Sequence, residues 1–266
     1  MNVYQEKAQQ ASALLAEFDL DMWITYVRET AEHTDPVLKL LGPFSPTWPA
    51  AFIFTRDGEK IAISGKGDDE AIRRENVFDD VMPYTQSIKD VLVPLIARVD
   101  PQRIGLNYSQ SDVSADGLTY GMYLNLQGYF ADTPYATRLV SAEDFVEALR
   151  GRKTPQELTA MRKASAISME IFDIVSAWLK PGVSEKEIYA FVHKLVAERG
   201  VDTAWDPAHC PGLNAGPNSP WGHVGVSDET VKAGETLNMD FGVKVDGFCS
   251  DNQRTWYVLR LSLIHI

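Results

Sequence analysis

Two aspartates, Asp240 and Asp251, flank the dipeptide Asp246-Gly247 in the stretch NMDFGVKVDGFCSDNQRT. Leu237, Met239 and Phe241 alternate with Asn238, Asp240 and Gly242, a period of two that predicts a strand with one apolar face and Asp240 on the other. Asp-Gly favours a two-residue hairpin turn, which would pair Val245 with Phe248 and Gly242 with Asp251. Both carboxylates then share one face, a diagonal step apart. A three-residue loop would instead set Phe241 opposite Asp251 and send the two acids to opposite faces. Carboxylates held so close cannot both ionise cheaply without a cation, and hard divalent metals accept oxygen ligands. A hydrolytic metal pair, its ions ~3.5–4 Å apart, could be bridged by such a pair. From spacing alone, two hydrogen-bonded structural aspartates or hairpin-edge charges are the commoner reading.

The surroundings of the pair tip that balance. Seven acids (Asp206, Asp228, Glu229, Glu235, Asp240, Asp246 and Asp251) face only Lys232 and Lys244 between positions 206 and 251. The segment GPNSPWGH, ending in His223, runs seventeen residues ahead of Asp240. His209 beside Cys210 has no further soft ligands in spacing and reads as loop packing, and His193 as a helix residue. Trp205, Trp221 and Trp256 could line a pocket for a proline ring, although core packing is the usual fate of tryptophan.

GPNSPWGHVGVSD followed by NMDFGVKVDGFCSDNQRT resembles the metal signature of the pita-bread metallopeptidases, the family of prolidase, aminopeptidase P, methionine aminopeptidase and metal-free creatinase. The likeness is to the prolidase and aminopeptidase P branch. It implies that His223 binds the substrate or its tetrahedral intermediate, that Asp240 is the first metal ligand, and that Asp251 bridges two divalent ions (manganese, cobalt or zinc). It also implies attack on the bond before proline in a peptide with proline at its second position, in a homodimer. Creatinase keeps the fold without these carboxylates, so their presence points to a metal-using member. The family completes its site with a histidine and two glutamates that come later; after Asp251 this sequence offers no glutamate and one histidine, His265, in an unlike context. The expectation is that the chain as it stands binds metal weakly and is inactive or nearly so. The ending LSLIHI resembles adapter read-through, the mark of a truncated gene product. Two further readings stay open: a creatinase-type, metal-independent amidine or amide hydrolase, and a catalytically dead pita-bread binding module.

The elements that must position these residues are legible upstream. Ala8, Ala11, Leu14, Leu15 and Phe18 recur at helical spacing; MWITYV reads as a strand; AAFIFT and KIAIS flank Asp57-Gly58 as a hairpin. Arg103 to Asn107 reads as a further strand, and Ser111 to Leu126 as a helix. Thr154, Pro155 and Glu157 spell the start of a long helix with Leu158, Met161, Ile171, Val175 and Leu179 as its apolar stripe. Pro181-Gly182 stops it, and Ser184 with Glu187 caps another striped by Ile188, Phe191, Val192 and Leu195. The expected architecture is an α/β creatinase-type domain over 1–146, followed over 147–266 by an incomplete α+β pita-bread domain.

Composition sets the outer limits. With 45% hydrophobic and 23% charged residues among 266, the chain is an ordinary globular protein, neither disordered nor fibrous. A formal charge of −12 with no basic patch argues against nucleic acid or anionic lipid as partner. Two cysteines without C-x-x-C spacing give no disulfide framework and no thiolate zinc site. MNVYQEKAQQ is not a secretory leader, and no apolar stretch is long enough to span a bilayer, so the expected location is the cytoplasm.

Overall fold

A computed structural model describes residues 1–220, 222 and 224–259. The chain divides into two compact units, Met1–Thr154 and Pro155–Ile266.

In the first unit the helices are α1 (Val3–Leu15), α2 (Leu38–Leu41), α3 (Asp69–Arg74), α4 (Lys89–Val99), α5 (Tyr120–Phe130) and α6 (Glu143–Gly151). The strands are β1 (Met22–Val27), β2 (Ala50–Thr55), β3 (Lys60–Gly65), β4 (Asp80–Tyr84), β5 (Ile104–Leu106) and β6 (Leu139–Ser141). They form one mixed sheet in the order β4-β3-β2-β1-β5-β6, with β2 antiparallel to both β1 and β3 and the outer pairings parallel. Alternate residues of β1 and β2 enter two separate cores. Trp23, Phe52 and Phe54 pack with α1, α2 and α6, whereas Met22, Ile24 and Ile53 pack with α4 and α5. Because both faces are covered, every residue of β1 and β2 is buried. The unit division lies beyond position 146 because α6 straddles that position and buries Phe145, Val146 and Leu149 in the first core.

The helix expected over 111–126 begins only at Tyr120. Residues before it are committed to local side-chain bonds: Ser109 Oγ accepts from the amides of Ser111 and Asp112, Asp112 from that of Ser114, and Asp116 from that of Ser109. Such bonds compete with the helical ladder. Thr119 then caps α5, its hydroxyl accepting from Met122 N.

The second unit opens with α7 (Pro155–Trp178) and α8 (Glu185–Glu198) and continues with β7 (Asp202–Thr203), β8 (Gly212–Ala215), β9 (Thr236–Phe241), β10 (Val243–Val245), β11 (Phe248–Cys249) and β12 (Asn252–Tyr257). The capping box read at Ser184 and Glu187 is present. The stripe of α7 differs from its expectation: Ile171 and Val175 are buried, but Leu158 is 39% exposed, and the first half of the buried face is Glu157, Ala160, Ala164 and Ser168. Small side chains there let a helix lie close to a neighbouring element. Ser168 Oγ shares a buried 2.7 Å hydrogen bond with Ser250 Oγ, and Phe172 meets Phe241 edge-on at 5.9 Å.

Candidate functional site

The hairpin that carries the two aspartates turns at Asp246 and Gly247, both with positive φ (50° and 86°), as a two-residue turn between twisted strands requires. Val245 pairs with Phe248 and Lys244 with Cys249; farther along, Phe241 pairs with Asn252 and Asp240 with Gln253. The register is the same on both sides of the intervening bend, so Gly242 stands opposite Asp251 and the two aspartates share a face. At the bend the strands part company. β10 and β11 pair on towards β7, and β9 and β12 towards β8.

On the inner face of β9, Leu237, Met239 and Phe241 are fully buried, while Asp240 on the outer face is half-buried. Gly212 of β8 is its partner on that outer side. Gly212 thus stands across from Asp240 on one side and Gln253 on the other, and Gly242 stands across from Asp251. Three other outer-face residues, Asn214, Asn238 and Gln253, are neutral and polar and line the same cleft of about 530 Å³. Trp205, Asp206 and His209 form one wall, with Gly222, Val224 and Gly225 also lining it.

Gly242 is required by close approach: a Cβ there would stand 1.9 Å from the Ser250 carbonyl oxygen and 2.9 Å from Ala204 Cβ. Ser250 fixes the bend from below. Its amide donates to Val243 O at 2.9 Å, and its hydroxyl, besides the bond to Ser168, accepts from Val243 N at 2.9 Å. The residue just before Asp251 is therefore held through α7. On the inner side, Arg254 pairs with Asp173 at 2.8 Å and lies over the Phe172 ring, while Trp256 Nε1 donates to Ser176 Oγ at 2.7 Å. Trp256 thus belongs to core packing. Trp205 lines the cleft, its indole N–H donating to His209 O at 2.9 Å.

His209, read as loop packing, is instead exposed at the cleft wall, its Nδ1 3.7 Å from Asp206 Oδ2. His193 is tied by a 2.8 Å bond to the Cys210 carbonyl oxygen, in keeping with a packing role. Cys210 is buried, and burial pushes its thiol pKa up. His223 and Trp221 lie outside the described residues, as do His265 and the ending LSLIHI.

A divalent cation would find two hard oxygen donors here, Asp240 and Asp251, lining one cleft. The pair fits part of an oxygen shell. Among the described residues no group of three or more His, Cys, Asp or Glu side chains gathers to complete one. Also among the described residues, no helix is long and apolar enough to cross a membrane.

The sequence profile of metallopeptidase family M24 matches residues 159–262. A Xaa-Pro dipeptidase of Lactobacillus delbrueckii subsp. lactis is 31% identical over 151 residues, and an uncharacterized peptidase of Bacillus subtilis, YqhT, 28% over 141 residues. These matches cover 56% and 53% of this chain but only 39% and 38% of the relatives, so the chain spans about two fifths of their length. Among solved structures, a Xaa-Pro dipeptidase from Bacillus anthracis superposes with a TM-score of 0.65 at 20% identity, over 99% of this chain and 68% of the other. The prolidase from Pyrococcus horikoshii gives 0.62 at 18%, over 96% and 65%. At such identities the likeness is one of fold. Over residues 159–262 the chain is thus similar in sequence to metallopeptidase family M24.

Proposed function

We propose that the protein carrying this chain is a Xaa-Pro-directed peptidase of the prolidase or aminopeptidase P type, dependent on two divalent ions such as manganese, cobalt or zinc. The observation that carries this reading is the shared outer face of Asp240 and Asp251, which line one cleft together with Gly212. Those two carboxylates would hold the cations, which when bound supply Lewis acidity to the peptide carbonyl. The remaining work belongs to the chain's own residues. A cleft of about 530 Å³ is of a size for a short peptide. Its neutral amides, Asn214, Asn238 and Gln253, can hydrogen-bond a peptide backbone without adding charge, and Gly212, Gly222 and Gly225 of its lining let that backbone approach closely. Trp205 offers an apolar wall, and His223, by family register, would hydrogen-bond the substrate. The first unit corresponds in this reading to a creatinase-type α/β domain and the second to the pita-bread domain. The family resemblance supports a homodimer, and a cytoplasmic location is part of the same proposal.

The test is cleavage of Xaa-Pro peptides with each metal supplied. The protein should release the residue before proline and lose activity on exhaustive chelation. Asp240→Asn and Asp251→Asn should each lower kcat/KM at least about 100-fold, or about 2.7 kcal/mol of transition-state stabilisation. Absence of Xaa-Pro cleavage would overturn the reading. Activity that survives chelation would replace it with a creatinase-type hydrolase.

A further inference from the structure

The wall of the cleft that contains Gly222, Val224 and Gly225 runs between Ala215, the last residue of β8, and Ser227. One side chain grips both ends of that segment. Glu185, the first residue of α8, is fully buried. Its Oε1 accepts from Ala215 N at 2.8 Å and Ser219 Oγ at 2.6 Å; its Oε2 accepts from Ser227 N at 2.8 Å and Ser227 Oγ at 2.7 Å. All four donors are neutral. A buried carboxylate is costly unless its lone pairs are filled, and here four donors and the α8 N-terminus meet that cost. Asn214, which faces the cleft, adds a bond from its Nδ2 to Pro220 O at 2.7 Å.

We propose that Glu185 is a positioning residue of the cleft: from the core side it fixes both ends of segment 216–226, the stretch of sequence that contains His223. Its four side-chain bonds go to Ala215, Ser219 and Ser227, none of which lines the cleft, so it acts through the segment it holds. As a role in substrate handling this rests on the Xaa-Pro peptidase reading; as a clamp it does not. The geometry makes the isosteric amide a sharp probe. In Glu185→Gln one oxygen becomes an NH₂ group, so either Ala215 N–H or Ser227 N–H must face a donor. Ser219→Ala with Ser227→Ala removes the two hydroxyl bonds while leaving both backbone bonds and the carboxylate in place.

Hydrogen–deuterium exchange of the full chain decides the clamp without reference to activity. In Glu185→Gln, amides of 216–227 should exchange at least about tenfold faster, while those of α7 and β9 stay within about twofold of wild type. The double serine variant should show the same local pattern at smaller amplitude, and it stands in if Glu185→Gln does not fold. Uniform acceleration across α7, α8 and β9, or no change at 216–227, would overturn the proposal. With Xaa-Pro substrates the variants should raise KM or lower kcat without altering metal affinity. Local exchange with no Xaa-Pro cleavage by the protein that carries this chain would leave the clamp standing and defeat the peptidase reading, so the two failures are distinct.

Discussion

Gly242→Ala is the perturbation that reaches deepest into the site's geometry. The new methyl would lie 1.9 Å from the Ser250 carbonyl oxygen and 2.8 Å from its carbon, both backbone atoms of the opposing strand. Relieving that contact means opening the strands by more than about 1 Å, since real Cβ contacts fall near 3.4 Å or beyond. The separation would strain the Ser250 N to Val243 O and Val243 N to Ser250 Oγ bonds, worth ~1 kcal/mol each, and impose an overpacking cost of ~1–3 kcal/mol. The sum is about 3–5 kcal/mol. Gly212, on the other flank of Asp240, is an internal control: its added Cβ would sit 3.6 Å from Asp240 Cβ, an ordinary contact, so Gly212→Ala should cost less than about 1 kcal/mol. Urea unfolding followed by tryptophan fluorescence, with Trp178 and Trp256 reporting on the second unit, measures both. A Gly242→Ala variant within about 0.5 kcal/mol of wild type, or two alanine variants of equal cost, would refute the hairpin geometry from which the site is built.

Three further outcomes follow from burial. Asp35 is 1% exposed, accepting from Val37 N at 2.8 Å and Asn107 Nδ2 at 2.9 Å, and burial raises its pKa despite those bonds. The native state therefore holds a proton that the unfolded chain has released, so stability should fall as pH rises above the ordinary carboxyl range until the folded pKa is passed. The limiting slope is about 1.4 kcal/mol per pH unit, and Asp35→Asn should flatten it in a pH series of urea melts. A profile identical in the variant would contradict the assignment. A thiol reagent should label Cys249, which is exposed, and spare Cys210, which is buried with a raised pKa, until the protein unfolds; native labelling at both would be wrong for this fold. Ser168→Ala should destabilise the second unit by about 1–2 kcal/mol through the lost buried bond to Ser250, read by the same urea melt, and a neutral effect would remove α7 from the support of Asp251.

The parity of the aspartates was readable because one dipeptide, Asp246-Gly247, sets the register, and alternation then assigns every side chain to a face. The long and short helices of the second unit were marked by Pro155, Ser184 and Glu187. What escaped the sequence depends on distance. The close-packed half of α7 selects Ala160, Ala164 and Ser168, whose hydropathy is weak, so Leu158 attracted the stripe and turned out exposed. Residues 111–116, read as the start of a helix, are captured by serine and aspartate side-chain bonds. Glu185 looks like an ordinary acid in a first helical turn; its partners lie at positions 215, 219 and 227, and no local pattern connects them. A serine-flanked loop following such an acid was the one available hint.

Paramagnetic broadening by Mn²⁺ tests the central juxtaposition most directly. Titrated into the labelled chain, the ion should broaden the backbone amide signals of residues 240 and 251 together, with those of Gly212 and Gln253 next, and Asp240→Asn or Asp251→Asn should each weaken the effect at both positions. Broadening centred elsewhere, or loss at one aspartate that leaves the other unchanged, would contradict the shared site.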